Sequence, residues 1–113
     1  MTDQPPTREW LTVPDLVDLL GIGVSRVRRL IEDRHLAASR IDGVIKVPAD
    51  FLQNGEPLTE LRGTLIVLGD AGFTDDEAIA WLLENDDTLG IAPIDALRAG
   101  RKAEVRRVAQ ALG

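Results

Sequence analysis

Apolar side chains recur at helical spacing in two short segments that lie close together near the start of the chain. The first segment carries Leu16, Val17, Leu19 and Leu20, and the second carries Val27, Leu30 and Ile31. At about 100° per residue the second set falls within one sector roughly 100° wide, as expected for a helix that packs on a neighbour. Because only residues 21–24 separate the two segments, the pattern predicts a helix-turn-helix.

Polar residues and a glycine mark the ends of both predicted helices. The Thr12 hydroxyl is placed to accept a hydrogen bond from the backbone N–H of Asp15, which would cap the first helix. Gly21 can adopt the left-handed conformation that ends this helix. Ser25 is the predicted N-cap of the second helix, which we expect to run to about Asp33.

The outer face of the second predicted helix is polar and basic. It carries Ser25, Arg26, Arg28, Arg29 and Glu32. A guanidinium can pair with guanine O6 and N7 or with a phosphate, so arginines near the start of such a helix suit the major groove of DNA. The alternative is an ordinary surface helix with the i, i+4 pairs Arg28/Glu32 and Arg29/Asp33, although Arg before acid is the weaker order.

Strand-like spacing follows the second helix and is interrupted by one turn. Leu36, Ala38 and Arg40 precede the turn, and Val44, Ile45 and Val47 follow it. The Asp42-Gly43 pair between these runs is a strong β-hairpin signal. Because a lone hairpin is unstable in water, we expect it to lean on the helices as a wing, with Arg40 and Lys46 flanking its tip and able to reach phosphates.

The second half of the chain shows further helical patterns beyond a turn or linker at residues 54–57. Residues 58–72 fit one helix, and Thr74 with Glu77 matches a capping box that opens the next. A loop is expected at residues 85–90, then a short helix from Pro93 to Gly100. The last predicted helix, residues 104–112, turns Val105, Val108, Ala109 and Leu112 inward.

These elements predict a mainly α fold, a winged helix-turn-helix with a small β-hairpin wing followed by a C-terminal helical region. The expected organisation is a flexible tail at residues 1–8, the winged helix-turn-helix at 9–53, and the helical region at 54–113 packed on it as one unit. A length of 113 residues suits one domain or two very small ones, since a stable core usually needs roughly 50 residues.

The distribution of charge along the chain is more informative about a ligand than the net charge. The chain carries −6 overall, which is unfavourable for contact with phosphates. Residues 21–48, however, hold five arginines and one lysine against three acids, and they form the only net-basic block. An acidic remainder would weaken non-specific binding and steer DNA to that block; the alternative is a solvated surface of mixed charge.

Other classes of protein find little support in the sequence. No apolar run approaches the roughly 20 residues of a membrane span, and the polar start lacks the regions of a signal peptide, so we expect a cytoplasmic, nucleoid-associated protein. His35 is the single histidine and cysteine is absent, so no metal site or cofactor is predicted. The acids at residues 75–77 fit helix capping better than acid-base chemistry, and we expect no enzyme activity.

The N-terminal half, LTVPDLVDLLGIGVSRVRRLIEDRHLAASRIDGVIKVPADFL, resembles the winged helix-turn-helix of excisionase and MerR-type proteins. The whole chain is similar to a small actinobacterial family of winged-helix DNA-binding proteins. The similarity adds LRGTLIVLGDAGFTDDEAIAWL, PIDALRAG and EVRRVAQAL, and so covers roughly residues 10–112. The resemblance implies a sequence-specific binder of double-stranded DNA that regulates transcription.

One member of that family is a substrate of a membrane Ser/Thr protein kinase, which makes such a kinase a candidate partner. In the family the phosphorylated threonine lies on a longer N-terminal tail, which has no evident match in the short tail here. Thr2 and Thr7 are the candidate phosphorylation sites on that tail.

The segment WLLENDDTLGIAPIDALRAGRKAEVRRVAQAL is also similar to the toxin-binding C-terminal segment of a family of antitoxins. That resemblance implies a protein-interaction role for residues 74–113, with Trp81, Leu89 and Leu97 as candidate partner-binding residues. In the winged-helix family the same pattern serves as plain core, so both interpretations stay open. The competing function is therefore an antitoxin-like interaction module.

Overall fold

The computed structural model describes residues 8–112, and within that part the chain forms six α-helices and two small antiparallel sheets. The elements are, in order, β1 Trp10–Thr12, α1 Val13–Leu20, α2 Val24–Glu32, β2 Ser39–Ile41, β3 Val44–Pro48, a 3-10 turn Ala49–Phe51, β4 Leu52–Gln53, β5 Glu56–Pro57, α3 Leu61–Asp70, α4 Asp75–Leu83, α5 Pro93–Arg98 and α6 Lys102–Gln110. This is the winged helix-turn-helix followed by helices that the sequence predicts.

Helix α1 begins with the predicted cap. The Asp15 backbone N–H donates to the Thr12 hydroxyl at 3.2 Å, and the Thr12 N–H donates to the Asp15 carboxylate at 3.0 Å. These bonds satisfy two N–H groups that would otherwise lack partners at the start of the helix. Gly21 ends the helix at φ 67°, and its N–H donates to the Val17 carbonyl at 2.9 Å. Both end predictions are confirmed.

Helix α2 begins two residues earlier than predicted. Its N-cap is Gly23, in an extended conformation, and no side chain caps the helix, so the prediction of Ser25 as the N-cap is wrong. The three-residue turn 21–23 is too short to leave Val24 outside the helix, and Ser25 falls within its first turn. The helix ends at Glu32, after which Arg34 adopts φ 65° and redirects the chain.

The wing is a three-stranded sheet with β3 in the centre, in the order β1-β3-β2. The predicted hairpin turn is confirmed: Asp42 and Gly43 have φ of 52° and 80°, the pair of positive values that a two-residue I′ turn requires. Strand β2 starts at Ser39, later than predicted, because Leu36 and Ala37 are buried in the core instead. Strand β1 was not predicted; its Thr12 pairs with Lys46.

The predicted turn or linker at residues 54–57 is the turn and second strand of another hairpin. Strands β4 and β5 pair across Asn54 and Gly55, which have φ of 55° and 74°. The Leu58 N–H donates to the Phe51 carbonyl at 2.8 Å, so Leu58 belongs to this junction and α3 starts only at Leu61. The hairpin therefore carries the chain directly from the wing to the C-terminal helices.

The C-terminal helices follow the predicted order with shifted ends. The capping box of α4 is confirmed: the Glu77 N–H donates to the Thr74 hydroxyl at 3.2 Å, and Thr74 N–H donates back to Glu77 at 2.9 Å. Helix α6 spans Lys102–Gln110 rather than 104–112. Leu112 lies beyond its end and is 43% exposed, so the prediction that it points inward is wrong.

Both halves of the chain share one hydrophobic core. Its largest fully buried apolar members are Leu16, Val27, Leu36, Val47, Phe51, Leu61, Leu68, Leu82, Ile94, Leu97 and Val105. Hydrogen bonds also cross the junction between the two halves: Nη1 of Arg98 on α5 donates to the carbonyls of Asp50 at 3.0 Å and Leu52 at 2.6 Å. The helices thus brace the wing module.

Arg8, which precedes β1, also contacts the junction between the wing module and the C-terminal helices. Its guanidinium bridges Asp50 and Asp95, each at 3.0 Å. The hydrogen bond to Asp95, with that to Asp50, raises the pKa of Arg8 although partial burial opposes this. Residue 8 therefore belongs to the fold rather than to the predicted tail, and residues 1–7, including Thr2 and Thr7, lie outside the described part.

Candidate nucleic-acid interface

Helix α2 buries one side and exposes a basic one. Val27 is fully buried in the core. The exposed residues of its other side are Val24, Ser25, Arg26, Arg28, Arg29 and Glu32. Four of the six predicted contact residues thus lie together on the exposed surface of one helix.

The arginines of α2 are not neutralised by acids of their own helix. Among residues 8–112, neither Arg28 with Glu32 nor Arg29 with Asp33 forms a salt bridge; the ion pairs there join Arg8 and Arg101 to other acids. No side-chain hydrogen bond within the described residues engages Arg26, Arg28 or Arg29 either. The i, i+4 pairing that would explain these side chains as helix stabilisers is therefore absent from residues 8–112.

The two cations predicted for the wing, Arg40 and Lys46, differ in their exposure and their neighbours. Arg40 is exposed and donates from Nη1 to the Gly43 carbonyl at 3.4 Å, across its own hairpin turn. Lys46 lies half-buried on the central strand, with Thr12 and Ser39 as its neighbours in register. Its charge helps to lower the pKa of Asp15, although the larger causes are the backbone and hydroxyl hydrogen bonds from Thr12.

A groove of about 320 Å³ separates α2 from the wing. Arg28, on the helix, and Arg40, on the hairpin, both line it, together with Glu32 and Ser39. Its apolar lining is formed by Val13, Ile31, Ala38 and Ile45. The structure brings Arg28 and Arg40 to one groove, whereas Arg26, Arg29 and Lys46 are not among its lining residues.

Not every arginine of the net-basic block belongs to this surface. The Arg34 guanidinium lies against Gly69 of α3, in the space that a β-carbon there would fill, and Nη1 donates to the Leu65 carbonyl at 3.4 Å. A second contact joins the same two elements: Nε of Arg62, on α3, donates to the carbonyl of Asp33, just after α2, at 2.9 Å. Arg34 thus ties α2 to α3, a role that charge counting along the sequence could not separate from ligand binding.

Two exposed apolar residues flank the basic surface. Val24, the first residue of α2, is 48% exposed, and Val44, next to the wing turn, is 45% exposed. Neither was predicted as a site residue, because a single valine beside a turn gives no periodic signal.

Known proteins share the sequence pattern of both halves of this chain. The family model described as "DNA-binding protein Rv2175c, wHTH domain" matches residues 3–52, and the "Rv2175c C-terminal domain of unknown function" matches residues 58–113. The DNA-binding protein Rv2175c of Mycobacterium tuberculosis is 34% identical over 120 residues, covering 95% of this chain and 82% of that protein. The chain belongs to the Rv2175c family.

Structure and a second relative agree with membership in the Rv2175c family. The solved structure described as "NMR structure of Rv2175c" matches with a TM-score of 0.86 at 32% identity, over 99% of this chain and 86% of that one. An excisionase of Streptomyces ambofaciens is 44% identical over 48 residues, which is 42% of this chain and 77% of that protein. Similarity to the Rv2175c family thus extends over both halves, and the excisionase matches a shorter stretch.

Two of the three residues predicted to bind a protein partner, all in the C-terminal region, are buried. Leu89 is 6% exposed and Leu97 is 1% exposed, and both belong to the core; Trp81 is half-buried and packs against it. The Asp86 carboxylate accepts from the backbone N–H groups of Thr88 and Leu89, so it shapes its own loop. This burial favours the structural role for these residues.

Other kinds of site find no counterpart in the described residues. Within residues 8–112 no three His, Cys, Asp or Glu side chains cluster as metal ligands would. The acids at the start of α4 serve the helix: bonding to the backbone N–H and hydroxyl of Thr74 lowers the pKa of Glu77. None of the helices in this part of the chain has the length and apolar character needed to cross a membrane.

Proposed function

We propose that this protein binds double-stranded DNA sequence-specifically and regulates transcription, with α2 in the major groove and the wing on the phosphate backbone. The observation that carries the proposal is the exposed face of α2, which presents Arg26, Arg28 and Arg29 without an ion pair or hydrogen bond within residues 8–112. Membership in the Rv2175c family supports it, since a relative with this fold bears the name DNA-binding protein.

The contrast with other arginines supports a ligand for this face. Arg8, Arg34, Arg62, Arg98 and Arg101 all donate to acceptors within the fold. The arginines of α2 do not, so their charges are available to a partner. Guanine O6 and N7 offer the paired acceptors that a guanidinium fork matches, and this pairing supplies sequence discrimination.

The groove between α2 and the wing suits the edge of a DNA strand. Arg28 and Arg40 line it from the helix and the hairpin, so a phosphate at its mouth would meet two cations. The exposed Ser25 is a further donor from the first turn of α2, and Lys46 adds charge from the central strand. Exposed Val24 can contact a thymine methyl group.

The decisive experiment is a fluorescence anisotropy titration on DNA selected from a random pool. Changing Arg28 and Arg29 together to Ala should weaken binding by roughly 30-fold or more, because each lost base or phosphate contact costs about 1–3 kcal/mol. Each lost phosphate contact should also reduce the salt dependence by about 0.9 log units per decade. Arg28→Ala alone is compared with Gln53→Glu on the exposed β4–β5 hairpin, because each lowers net charge by one unit.

Unchanged affinity of the Arg28→Ala, Arg29→Ala double variant, with an unaltered melting temperature, would exclude the proposed use of α2. A loss of affinity in Gln53→Glu equal to that in Arg28→Ala would show that overall charge, rather than this surface, determines binding.

A protein partner for residues 74–113 receives less support, because the side chains of Leu89 and Leu97 are buried in the core. Partial exposure of Trp81 leaves one of the three selected residues accessible. A stoichiometric partner retained by the whole chain and lost in Trp81→Ala would support it. Kinase recognition of Thr2 or Thr7 stays a prediction from the sequence.

A further inference from the structure

Helix α6 presents a second basic face that the charge count along the sequence concealed. Its exposed residues, other than Glu104 on the flank, are Lys102, Ala103, Arg106, Arg107 and Gln110. They surround a shallow surface depression of about 250 Å³. These exposed residues include three cations, and the one exposed acid of α6, Glu104, is paired with Arg101, although residues 49–113 as a whole are strongly acidic.

Helix stability does not explain this arrangement. Lys102 is the first residue of α6, where the helix dipole is positive and a cation is unfavourable. Lys102 and Arg106 are also a like-charge pair at i, i+4, which destabilises a helix. Arg107, in the last turn, favours the helix, so helix stability leaves only Lys102 and its pairing with Arg106 unexplained, and an anionic ligand would account for them.

The nearby acid is already engaged by another residue. Glu104 accepts from Nε of Arg101 at 2.6 Å, and this bond is the main cause that lowers the pKa of Glu104; the charge of Arg107 contributes less. Within residues 8–112 no side-chain hydrogen bond or salt bridge engages Lys102, Arg106 or Arg107. Lys102 and Arg107 are therefore available to meet phosphates, whereas the Arg106 guanidinium packs against Gly63.

Contacts through α3 link this face to the end of α2. The Arg106 guanidinium lies over Gly63, in the space a β-carbon would occupy. The adjacent residue, Arg62, is exposed and bonds to the Asp33 carbonyl just after α2. Arg29 stands one helical turn before Asp33, so exposed arginines follow one another from α2 across α3 to α6.

We infer that the α6 face, with Lys102 and Arg107 as its available cations, is a second contact surface for the phosphate backbone of the duplex held by α2. The inference rests on the proposed function. The largest extent of the molecule is 39 Å. At 3.4 Å per base pair, that length corresponds to about 11 base pairs, so one duplex can run past both surfaces.

The test measures the salt dependence of duplex binding for Lys102→Gln, Arg107→Gln and the double variant. Arg106 is left intact because it packs on Gly63. Each substitution should lower the slope of log affinity against log salt by about 0.9, and the double variant by about 1.8. Gln53→Glu is the matched control, since it shifts net charge by the same single unit as either single variant.

The outcomes separate this inference from the proposed function. A wild-type chain that binds no duplex overturns both. If the Arg28→Ala, Arg29→Ala variant loses affinity while the double α6 variant keeps the wild-type slope, the α6 surface is excluded and the use of α2 stands. A slope change in Gln53→Glu as large as in Lys102→Gln also excludes it, because the effect would then be one of overall charge.

Discussion

The junction held by Arg98 leads to a prediction about how the chain unfolds. Substituting Arg98 by Met keeps most of the alkyl stem but removes the Nη1 donor shared by the Asp50 and Leu52 carbonyls. A charged hydrogen bond contributes about 1.5–3 kcal/mol, and partial exposure reduces this, so we expect a loss of about 1–2 kcal/mol. Unfolding entropy of about 2.1 cal/mol/K per residue then converts each kcal/mol into about 4 °C for a chain of this length.

Differential scanning calorimetry measures this directly. The wild type should melt in one transition, because both halves share one core, and Arg98→Met should melt about 4–8 °C lower, still in one transition. Arg107→Met is the matched control, since it removes the same group from an exposed position where, within residues 8–112, no side-chain hydrogen bond engages it, and it should shift the melting temperature by less than about 2 °C. Two wild-type transitions, or equal shifts in both variants, would refute the reasoning about the junction.

Two further predictions concern local structure. Thr12→Ala should destabilise the protein by about 1 kcal/mol in urea titrations at pH 7. Because the backbone N–H and the hydroxyl of Thr12 lower the folded-state pKa of Asp15, their stabilising effect is present above the ordinary carboxyl pKa and is lost as pH falls through the lowered value; an acid-side stability profile unchanged in Asp15→Asn, which removes the titrating carboxyl, would contradict this. Gly43→Ala places a β-carbon at φ 80°, should cost about 1–2 kcal/mol and should weaken DNA binding through the wing, whereas an undiminished melting temperature would exclude strain at that turn.

The features that were predictable from the sequence are those determined over a few residues. The Thr12 and Thr74 caps depend on contacts three residues apart, and the Asp42-Gly43 turn depends on two adjacent backbone conformations. Helical periodicity likewise separated buried Val27 from the exposed arginines of α2.

The features that escaped prediction depend on partners distant in the chain. Strand β1 is three residues long, and only pairing with β3 makes it a strand. Arg34 and Arg28 are alike in the sequence, yet the small surface of Gly69 admits the Arg34 guanidinium into the fold. The C-terminal cations were hidden because a sum over residues 49–113 mixes the basic face of α6 with acids on other elements.

Thr12 joins the wing to the helices without any intervening residue. It pairs with Lys46 as the last residue of β1, and its side chain caps α1. The central strand is therefore bonded on one side to the chain that starts the helix pair and on the other to the hairpin. A wing mounted in this way cannot swing as a separate arm, so its spacing from α2 is preorganised, and a ligand that meets both surfaces loses little free energy to ordering them.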